Sequence, residues 1–600
     1  LLKYRDKGEV TTPIVYADLE SAITDDGTHV NILCGWVHRD QKHVYISNNI
    51  KDMFDAICEY GKEVIIYFHN GEGYDFHFMI LELSKISCSY VKDFSIICDS
   101  SEKIRFFSVK YKGCTFKFRD TFAFVSESLS KWVESSKKSK CNFECFKANF
   151  PETQKQTAIL QKNPFPYNAI KSAEDLKYPI KKMEEWLTAE NSEKLFCYKY
   201  TAAYLEREIL PWFMAARALF HWKTIEDYYK TYLICDVSQL CDCMEFFASN
   251  VHNEFGEEAH AYYGTPSLTW GAWLKQNVYE LQPVREDMYD IINSSIRGGQ
   301  TGAMTRYFDR DTIDEKAFMC DLDCNSLYAT VMLKFKYPCH DFRYENMNGI
   351  CEDNILDMIK RLHEDGRSGF VEVDMDVYDK TSMQSYMPVA SKRTITGCYN
   401  YHAMACYAYG MGENPDTLSF TGLVNVAGEH LHYCCHTRLL EFYIEHKFVN
   451  IKHVYRLLSG VEEPVFHDYV QNNLEQRKKF AADPIKKMLY KLLNNSLYGK
   501  TYEDITHRKD LRMELTSQIT ENDPSVVRII NQYGKWTLFE RKQTEFFMSK
   551  RVYLGACITE YSKLWMYKFF YDKIRPTFPM AEVYYTDTDA LTIKFPAKYD

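Results

Sequence analysis

Residues 583–593 read Val-Tyr-Tyr-Thr-Asp-Thr-Asp-Ala-Leu-Thr-Ile and place two carboxylates between two runs of β-branched and aromatic residues. Such runs favour strands, and the polar residues between them favour a turn. The pattern therefore predicts a β-hairpin whose tip carries Asp587 and Asp589. An isolated Asp-Thr-Asp is most often an ordinary turn, so its meaning depends on what accompanies it in the chain.

A second acidic segment lies upstream of this hairpin. Residues 317–322 predict a strand that leads into Asp323, which is followed by Cys-Asn-Ser-Leu-Tyr. A carboxylate at the end of a buried strand is costly unless it is paired or bound to a metal ion. Asp323 and Asp587 could therefore bridge two Mg²⁺ ions, an arrangement suited to the transfer of a nucleotide.

A basic helix is predicted between the two acidic segments. Four residues are spaced 4, 4 and 3 apart and so share one helical face: Lys487, Lys491, Asn495 and Tyr498. Leucines occupy the opposite face. Pro484 suits the first turn, and Gly499 is expected to end the helix. A cationic face near carboxylates is suited to binding a triphosphate.

The composition bounds the class of protein. A hydrophobic share of 46% over 600 residues can fill several cores, and about four domains are expected. The net charge of −10 argues against a wholly basic coat for nucleic acid, although a channel needs only local positive charge. The 20 cysteines lack CxxC spacing, which predicts reduced thiols. With no signal peptide and no bilayer-spanning apolar run, we expect an intracellular protein without a membrane partner.

The N-terminal part carries a second group of acids. Asp18 and Glu20 are two residues apart on a predicted strand and so point to the same face. Asp75 follows a second predicted strand. Tyr232 and Asp236 are four residues apart in a predicted helix and share a face. Four carboxylates can hold two metal ions for phosphodiester hydrolysis, and Tyr232 could orient the attacking water.

Residues 323–329, 491–499 and 585–590 resemble, in this order, the motifs Dx2SLYP, Kx3NSxYG and YxDTDS of family B DNA polymerases. The resemblance is strongest to the protein-primed branch of phages, adenoviruses, linear plasmids and Maverick/Polinton elements. Ala329 and Ala590 stand where the motifs usually have proline and serine. The resemblance implies a DNA-directed DNA polymerase. Its two Mg²⁺ ions, for which Mn²⁺ can substitute, would be held by Asp323, Asp587 and the carbonyl of Cys324.

The resemblance also assigns residues to the incoming nucleotide. Tyr328 would stack under the sugar and exclude a 2′-OH, the group that distinguishes NTP from dNTP. Other residues would bind the triphosphate or the nascent base pair: Leu327, Lys479, Lys491, Asn495, Tyr498, Gly499 and Asp589.

The order and spacing of the N-terminal acids resemble the DxE, Nx2-3(F/Y)D and Yx3D motifs of the family's 3′–5′ proofreading exonuclease. The resemblance implies an RNase H-like domain with two Mg²⁺ ions on Asp18, Glu20, Asp75 and Asp236, and Lys162 resembles its catalytic lysine. Ile296 stands in place of the tyrosine of the linker motif YxGG. The DNA contacts implied are Asn70, Tyr74, Ser128, Leu129, Arg297, Gly298, Gly299 and Thr586.

The resemblance predicts an α/β multidomain chain in which an RNase H-like exonuclease precedes a right-hand palm and fingers with insertions. The expected units are the exonuclease domain (1–255), first palm part (256–335), inserted subdomain (336–470), fingers (471–505), possible second insertion (506–545) and second palm part (546–600). The family's thumb is expected to be missing from this sequence. The insertions suggest a terminal, priming protein as a partner beside template-primer DNA and dNTPs, and a viral, plasmid or transposon genome.

Three alternatives remain open. A reverse transcriptase or RNA polymerase usually has two adjacent acids in the third motif, whereas Thr588 separates them here. A decayed or domesticated element would only bind DNA, and a third alternative is an exonuclease with an inert polymerase half. The retention of all six acids favours an enzyme with two sites.

Overall fold

The computed structural model describes residues 4–160, 163–305, 307, 317–378, 386, 388–396, 419–425, 427–501, 503, 509–519, 523–543 and 551–595. Within these ranges every cysteine is a free thiol, as predicted. None of the helices in the same ranges is both long and apolar enough to cross a bilayer.

The N-terminal unit is built on a mixed seven-stranded sheet with the order β3-β2-β1-β4-β7-β6-β5. Strands β1, β4 and β7 are parallel, and β2 and β3 extend the sheet in antiparallel fashion. The two strands predicted before Glu20 and Asp75 are confirmed. The bounds are β1 Ile14–Ile23, β2 His29–His38, β3 Val44–Ser47, β4 Glu63–Phe68, β5 Val91–Cys98, β6 Ile104–Tyr111 and β7 Cys114–Asp120.

A long helix, Ile225–Phe255, crosses this sheet and carries the predicted Tyr232 and Asp236. Thr224 and Asp227 form a capping box at its start, and Gly256 ends it with a positive φ of 63°. The close approach requires Gly35 on β2, because a Cβ there would lie 2.8 Å from Leu233. The other helices of this unit are Ile50–Ile57, Asp75–Lys85, Leu129–Lys138, Glu144–Asn149, Thr153–Ile159, Lys181–Leu187, Ser192–Leu195, Ala202–Tyr204 and Leu210–Phe220.

Residues 296–300 contain Gly298 and Gly299 and are called the glycine linker. Two short strands follow it, β8 (Thr301–Ala303) and β9 (Phe318–Asp323). A separate four-stranded sheet then has the order β10-β15-β11-β14, and β12 and β13 form a hairpin beside it. Their bounds are β10 Tyr337–Tyr344, β11 Arg367–Val377, β12 Ala390–Thr396, β13 Ser419–Asn425, β14 Gly428–His436 and β15 Val449–Glu463. The helices Ile355–Glu364 and Thr437–Glu445 belong to the same region.

The basic helix spans Pro484–Thr501, so its predicted start is confirmed. The predicted end at Gly499 is wrong, because the helix continues for two more residues. A glycine costs a helix only about 1 kcal/mol, and Thr501 supports the last turn by donating its hydroxyl to the carbonyl of Tyr498. The other helices here are Thr265–Gln276, Glu286–Ser295, Leu327–Lys334, His467–Lys479, Val552–Lys568 and Arg575–Thr577.

A three-stranded sheet lies in the region expected to hold a second insertion. Its order is β16-β18-β17, with β16 Asp510–Leu515, β17 Val526–Tyr533 and β18 Trp536–Arg541. It packs on the N-terminal unit: Trp536 meets the ring of Phe94, and the hydroxyl of Tyr533 lies 2.8 Å from Nδ1 of His77. His77 belongs to the helix that begins at Asp75. This segment therefore contacts an element of the N-terminal acidic group.

The C-terminal hairpin pairs β19 (Glu582–Asp587) with β20 (Ala590–Phe595), and its tip is Thr588-Asp589, as predicted. It completes an antiparallel sheet with the order β8-β19-β20-β9. One face of this sheet is buried and carries Val583, Leu591 and Ile593. The opposite face is open and carries the acids.

Candidate active sites

The open face of the sheet β8-β19-β20-β9, called the palm sheet below, carries a row of three side chains across neighbouring strands. Asp587 on β19 and Asp323 on β9 both pair with Ala590 on β20. Side chains of directly paired residues point to the same face of a sheet. Both carboxylates are therefore exposed on one face, with the methyl group of Ala590 between them. The serine that is usual at this position would place a hydroxyl there instead.

The hairpin tip is tied to both of its neighbours. The amide of Thr588 donates to the carbonyl of Gln300 at 2.8 Å, and the amide of Cys324 donates to the carbonyl of Asp589 at 2.8 Å. Burial, followed by the charges of Asp323 and Asp587, raises the pKa of Asp589 above its ordinary value. The three carboxylates thus share a negative field that a divalent cation would relieve.

The basic helix presents the predicted face. Lys487, Lys491 and Asn495 are exposed, whereas Leu489 and Leu493 are buried. Because the ammonium groups of Lys487 and Lys491 lie at the surface, they are accessible to an anionic ligand. Lys479 is likewise exposed at the last residue of its helix.

An aromatic stack joins the basic helix to the acidic strand β9. The rings of Tyr328 and Tyr498 lie 4.0 Å apart and nearly parallel. Tyr328 is the second residue of the helix that follows β9. The first and second motifs are therefore brought together in space. A Cβ on Gly499 would meet nothing within 4 Å, so this turn of the helix is open beside the stack.

In this region, three of the residues predicted to contact DNA or the nucleotide have buried side chains. Thr586 is fully buried, because it alternates with Asp587 on the strand and points to the other face. The side chain of Leu327 is buried in the core, which leaves only its backbone for a nucleotide. The guanidinium of Arg297 is also buried: it stacks 4.0 Å from the ring of Tyr433 and donates to the carbonyls of Ser295 and Cys434. Gly298 remains open, because a Cβ at this position would meet no atom within 4 Å.

The N-terminal acids surround a cavity of about 370 Å³. Asp18, Asp236 and Tyr232 line it, together with three of the residues predicted to contact DNA: Asn70, Ser128 and Leu129. Ser128 precedes the helix Leu129–Lys138, so the predicted pair lies at a helix start. Tyr74 is not among the residues that line the cavity, but it lies near the acids: its hydroxyl hydrogen-bonds with Ser21 and His29, and burial, followed by the charges of Asp75 and Glu20, raises its pKa.

Electrostatics show that the four predicted carboxylates form one group. Burial, then the charges of Asp75 and Asp236, raises the pKa of Asp18 well above its ordinary value. Burial and the same group of charges also raise the pKa of Glu20. Burial raises the pKa of Asp75 to about 7. Three elements supply these groups: β1, the helix Asp75–Lys85 and the helix Ile225–Phe255.

The structure adds two residues that sequence reasoning missed. Tyr167 lines the cavity and hydrogen-bonds with Tyr232. The ammonium of Lys199 lies 3.9 Å from the centre of the Tyr167 ring and opposes the rise in the pKa of Glu20. Lys199 belongs to no recognisable motif, so only the fold places it here. The predicted Lys162 lies outside the described residues.

Asp120, at the end of β7, holds the turn that precedes Asp75. Its carboxylate accepts from the amides of Asn70 at 2.8 Å, Glu72 at 3.0 Å and Phe122 at 2.7 Å. Asn70 has a left-handed φ of 62°, which suits asparagine. The signal for Asp120 was present in the sequence, since it ends a strand rich in aromatic residues, as Asp323 and Asp587 do.

Both sites fit a hard divalent cation in their donor chemistry. Among the described residues, no cluster of three or more His, Cys, Asp or Glu side chains forms a ready-made metal site. Carboxylate and carbonyl oxygens are nevertheless the ligands that Mg²⁺ takes. The raised pKa values of Asp18, Glu20 and Asp589 mark negative charge that a cation would neutralise.

Comparison with known proteins agrees with this geometry. The family described as DNA polymerase type B, organellar and viral, matches residues 60–396. Phi29 DNA polymerase with primer-template DNA and incoming nucleotides has a similar fold (TM-score 0.57, 13% identity, 99% of this chain and 81% of that chain). Its binary complex with primer-template DNA gives a TM-score of 0.56 at 13% identity, over 98% and 81% of the chains. A search of curated proteins found no match.

These comparisons confirm the predicted fold class, an α/β multidomain protein consistent with an exonuclease followed by a polymerase. The likeness to the Phi29 enzyme extends over nearly the whole chain, although few residues are identical. The family match covers more than half of the 600 residues. This chain therefore belongs to the organellar and viral type B DNA polymerases.

Proposed function

We propose that this protein is a DNA-directed DNA polymerase with a separate 3′–5′ proofreading exonuclease, and that each site uses two Mg²⁺ ions. The observation that carries the proposal is the row of Asp587, Ala590 and Asp323 on the open face of the palm sheet. Two carboxylates on one solvent-facing row, joined through an aromatic stack to a basic helix, match the needs of nucleotidyl transfer.

In the polymerase site, bound Mg²⁺ would activate the primer 3′-OH and neutralise the triphosphate. Asp323, Asp587 and the carbonyl of Cys324 would hold the metals. The exposed Lys491 would bind the triphosphate, and Asn495 on the same face would approach the nascent base pair. Tyr328 would contact the sugar, its ring fixed by the stack on Tyr498.

In the exonuclease site, Asp18, Glu20, Asp75 and Asp236 would hold the metals. The hydroxyl of the buried Tyr232 would orient the attacking water. Asp18, Tyr232 and Asp236 line a cavity of about 370 Å³, and Asn70, Ser128 and Leu129, which would contact the end of a single strand, line the same cavity.

The partners would be template-primer DNA and dNTPs. The solved Phi29 structures with a similar fold contain primer-template DNA, incoming nucleotides or single-stranded DNA. The sheet β10-β15-β11-β14 interrupts the polymerase motifs where an insertion for a priming protein was expected. We therefore propose that the protein carries out protein-primed replication of a viral, plasmid or transposon genome inside the cell. We also propose the domain boundaries that the sequence predicts.

Replacing Asp587 or Asp323 by Asn should lower primer extension by at least about a hundredfold, because each removes a carboxylate from the two-metal row. Degradation of single strands should remain. Extension of a labelled primer on a DNA template with Mg²⁺ and dNTPs measures this. Asp321→Asn is the matched control, since Asp321 is exposed on the same face two residues away. Equal loss in the control, or equal extension on RNA, would contradict the proposal.

Replacing Asp75 by Asn should have the opposite effect: degradation is lost and extension is kept. It should also raise the melting temperature in EDTA, because it removes one of four mutually repelling carboxylates. Mg²⁺ at 100 times its Kd should stabilise the fold by about 2.7 kcal/mol for each ion bound. The variant should lose the stabilisation that comes from the ions of the exonuclease site. Glu82→Gln on the same helix is the control. A variant that loses both activities while folded would refute two separate sites.

Replacing Tyr328 by Val should raise the incorporation of ribonucleotides by roughly tenfold or more, because the ring that would exclude the 2′-OH is removed. The ratio of kcat/KM for NTP and dNTP measures this selectivity. Tyr328→Phe keeps the ring and should keep the selectivity. An unchanged ratio in the Val variant would remove Tyr328 from this role.

A further inference from the structure

The glycine linker runs directly against the tip of the acidic hairpin. A Cβ on Gly299 would lie 2.8 Å from Cβ of Thr588 and closer still to its Oγ1. Side-chain carbons do not approach atoms this closely, so only glycine permits the contact. The amide of Thr588 donates to the carbonyl of Gln300, the next linker residue. The turn between Asp587 and Asp589 therefore rests on the linker backbone.

The helix Val552–Lys568 fixes the linker from its other side. The ammonium of Lys563 donates to the carbonyl of Arg297 at 2.9 Å and pairs with the carboxylate of Glu560. One helical turn later, the hydroxyl of Tyr567 donates to Oε1 of Gln300 at 3.1 Å. Lys563, Glu560 and Tyr567 are buried. Buried and hydrogen-bonded groups of this kind permit few alternative positions, so the linker is held in place.

The linker continues into β8, whose first residue contacts the proposed metal ligand. Thr301 pairs directly with Asp587, and its Oγ1 donates to Oδ1 of that carboxylate at 3.0 Å. An ionised carboxylate has about four lone-pair sites. One bond to Oδ1 fixes the rotation of the group and leaves Oδ2 available to a cation.

We propose that Thr301 is a positioning residue for Asp587, and that the linker held by Lys563 and Tyr567 is the support on which this bond depends. The inference rests on the proposed function, in which Asp587 is a metal ligand. Thr301 itself would touch neither substrate nor metal. Groups that orient metal ligands in this way usually change metal affinity by about 10- to 100-fold when they are removed.

The test measures Mn²⁺ binding by electron paramagnetic resonance, with template-primer DNA present. The full chain carries Asp18→Ala and Asp75→Ala, so that the palm carboxylates dominate the signal. Thr301→Val removes the hydroxyl at nearly constant volume and should weaken Mn²⁺ binding by about 10- to 100-fold. The Mg²⁺ concentration for half-maximal extension should rise by a similar factor. Thr301→Ser keeps the hydroxyl and should restore both.

Thr592→Val is the matched control. The hydroxyl of Thr592 donates to Asp321 at 2.6 Å on the same face of the same sheet, but Asp321 is not a proposed metal ligand. This variant should bind Mn²⁺ as the parent does. If Thr301→Val behaves like this control while Asp587→Asn abolishes binding, the positioning role is refuted and the proposed function stands. If Asp587→Asn leaves binding unchanged, the proposed function itself fails.

A second variant tests the support under the tip. Gly299→Ala should lower extension, because the new methyl group must displace Thr588 and with it Asp587. Adding Thr588→Gly removes the atoms in conflict, and glycine tolerates the positive φ of that position. The double variant should recover extension relative to Gly299→Ala. Full extension activity of Gly299→Ala, or no recovery of extension in the double variant, would refute the proposal that the linker supports the hairpin tip. Each variant is also made in a chain that keeps Asp18 and Asp75. Degradation of single strands by that chain shows that the variant is folded.

Discussion

Mutual repulsion between carboxylates is the constraint on which both acidic sites depend. Burial and neighbouring charges raise the pKa of Asp18, Glu20 and Asp75 at one site, and that of Asp589 at the other. Like charges held this close are costly, so the surrounding elements must fix them, and a proton or, in the proposed function, a divalent cation must neutralise them. Strands and helices meet the first need: β9 and β19 hold Asp323 and Asp587 at defined register, and β1 and two helices hold the N-terminal acids. Divalent metal chemistry meets the second need.

The two sites share one rigid framework. The first turn of the basic helix is tied to the N-terminal unit, since the carboxylate of Asp483 accepts from Ser139 and Lys486 pairs with Glu254. The sheet β16-β18-β17 rests on the helix that begins at Asp75. The helix face proposed to bind the triphosphate and the site proposed for hydrolysis are thus connected through these contacts.

Patterns of short range were readable from the sequence. Runs of β-branched and aromatic residues predicted β4 and the hairpin at Asp587, and the spacing of Lys487, Lys491 and Asn495 predicted the exposed helix face. Contacts between distant segments were not readable. Arg297 is buried only because Tyr433 supplies a ring for it, and Lys199 reaches the acids only through the fold. Thr586 shows a third limit: its side chain points to the buried face of the strand, opposite that of Asp587, and the motif resemblance carries no information on this orientation.

The backbone conformation of the hairpin tip links the glycine linker to the carboxylates of Asp587 and Asp589. Thr588 has a φ of 61°, which costs a β-branched residue on the order of 1–3 kcal/mol. It persists because its neighbours over-determine it: its amide donates to Gln300, and the carbonyl of Asp589 accepts from Cys324. Thr588 lies between Asp587 and Asp589. A change in the linker that moves Thr588 would therefore also move these carboxylates. In the proposed function, a linker substitution would thus act on the metal site through the backbone, in addition to any effect on the DNA contacts predicted for Gly298 and Gly299.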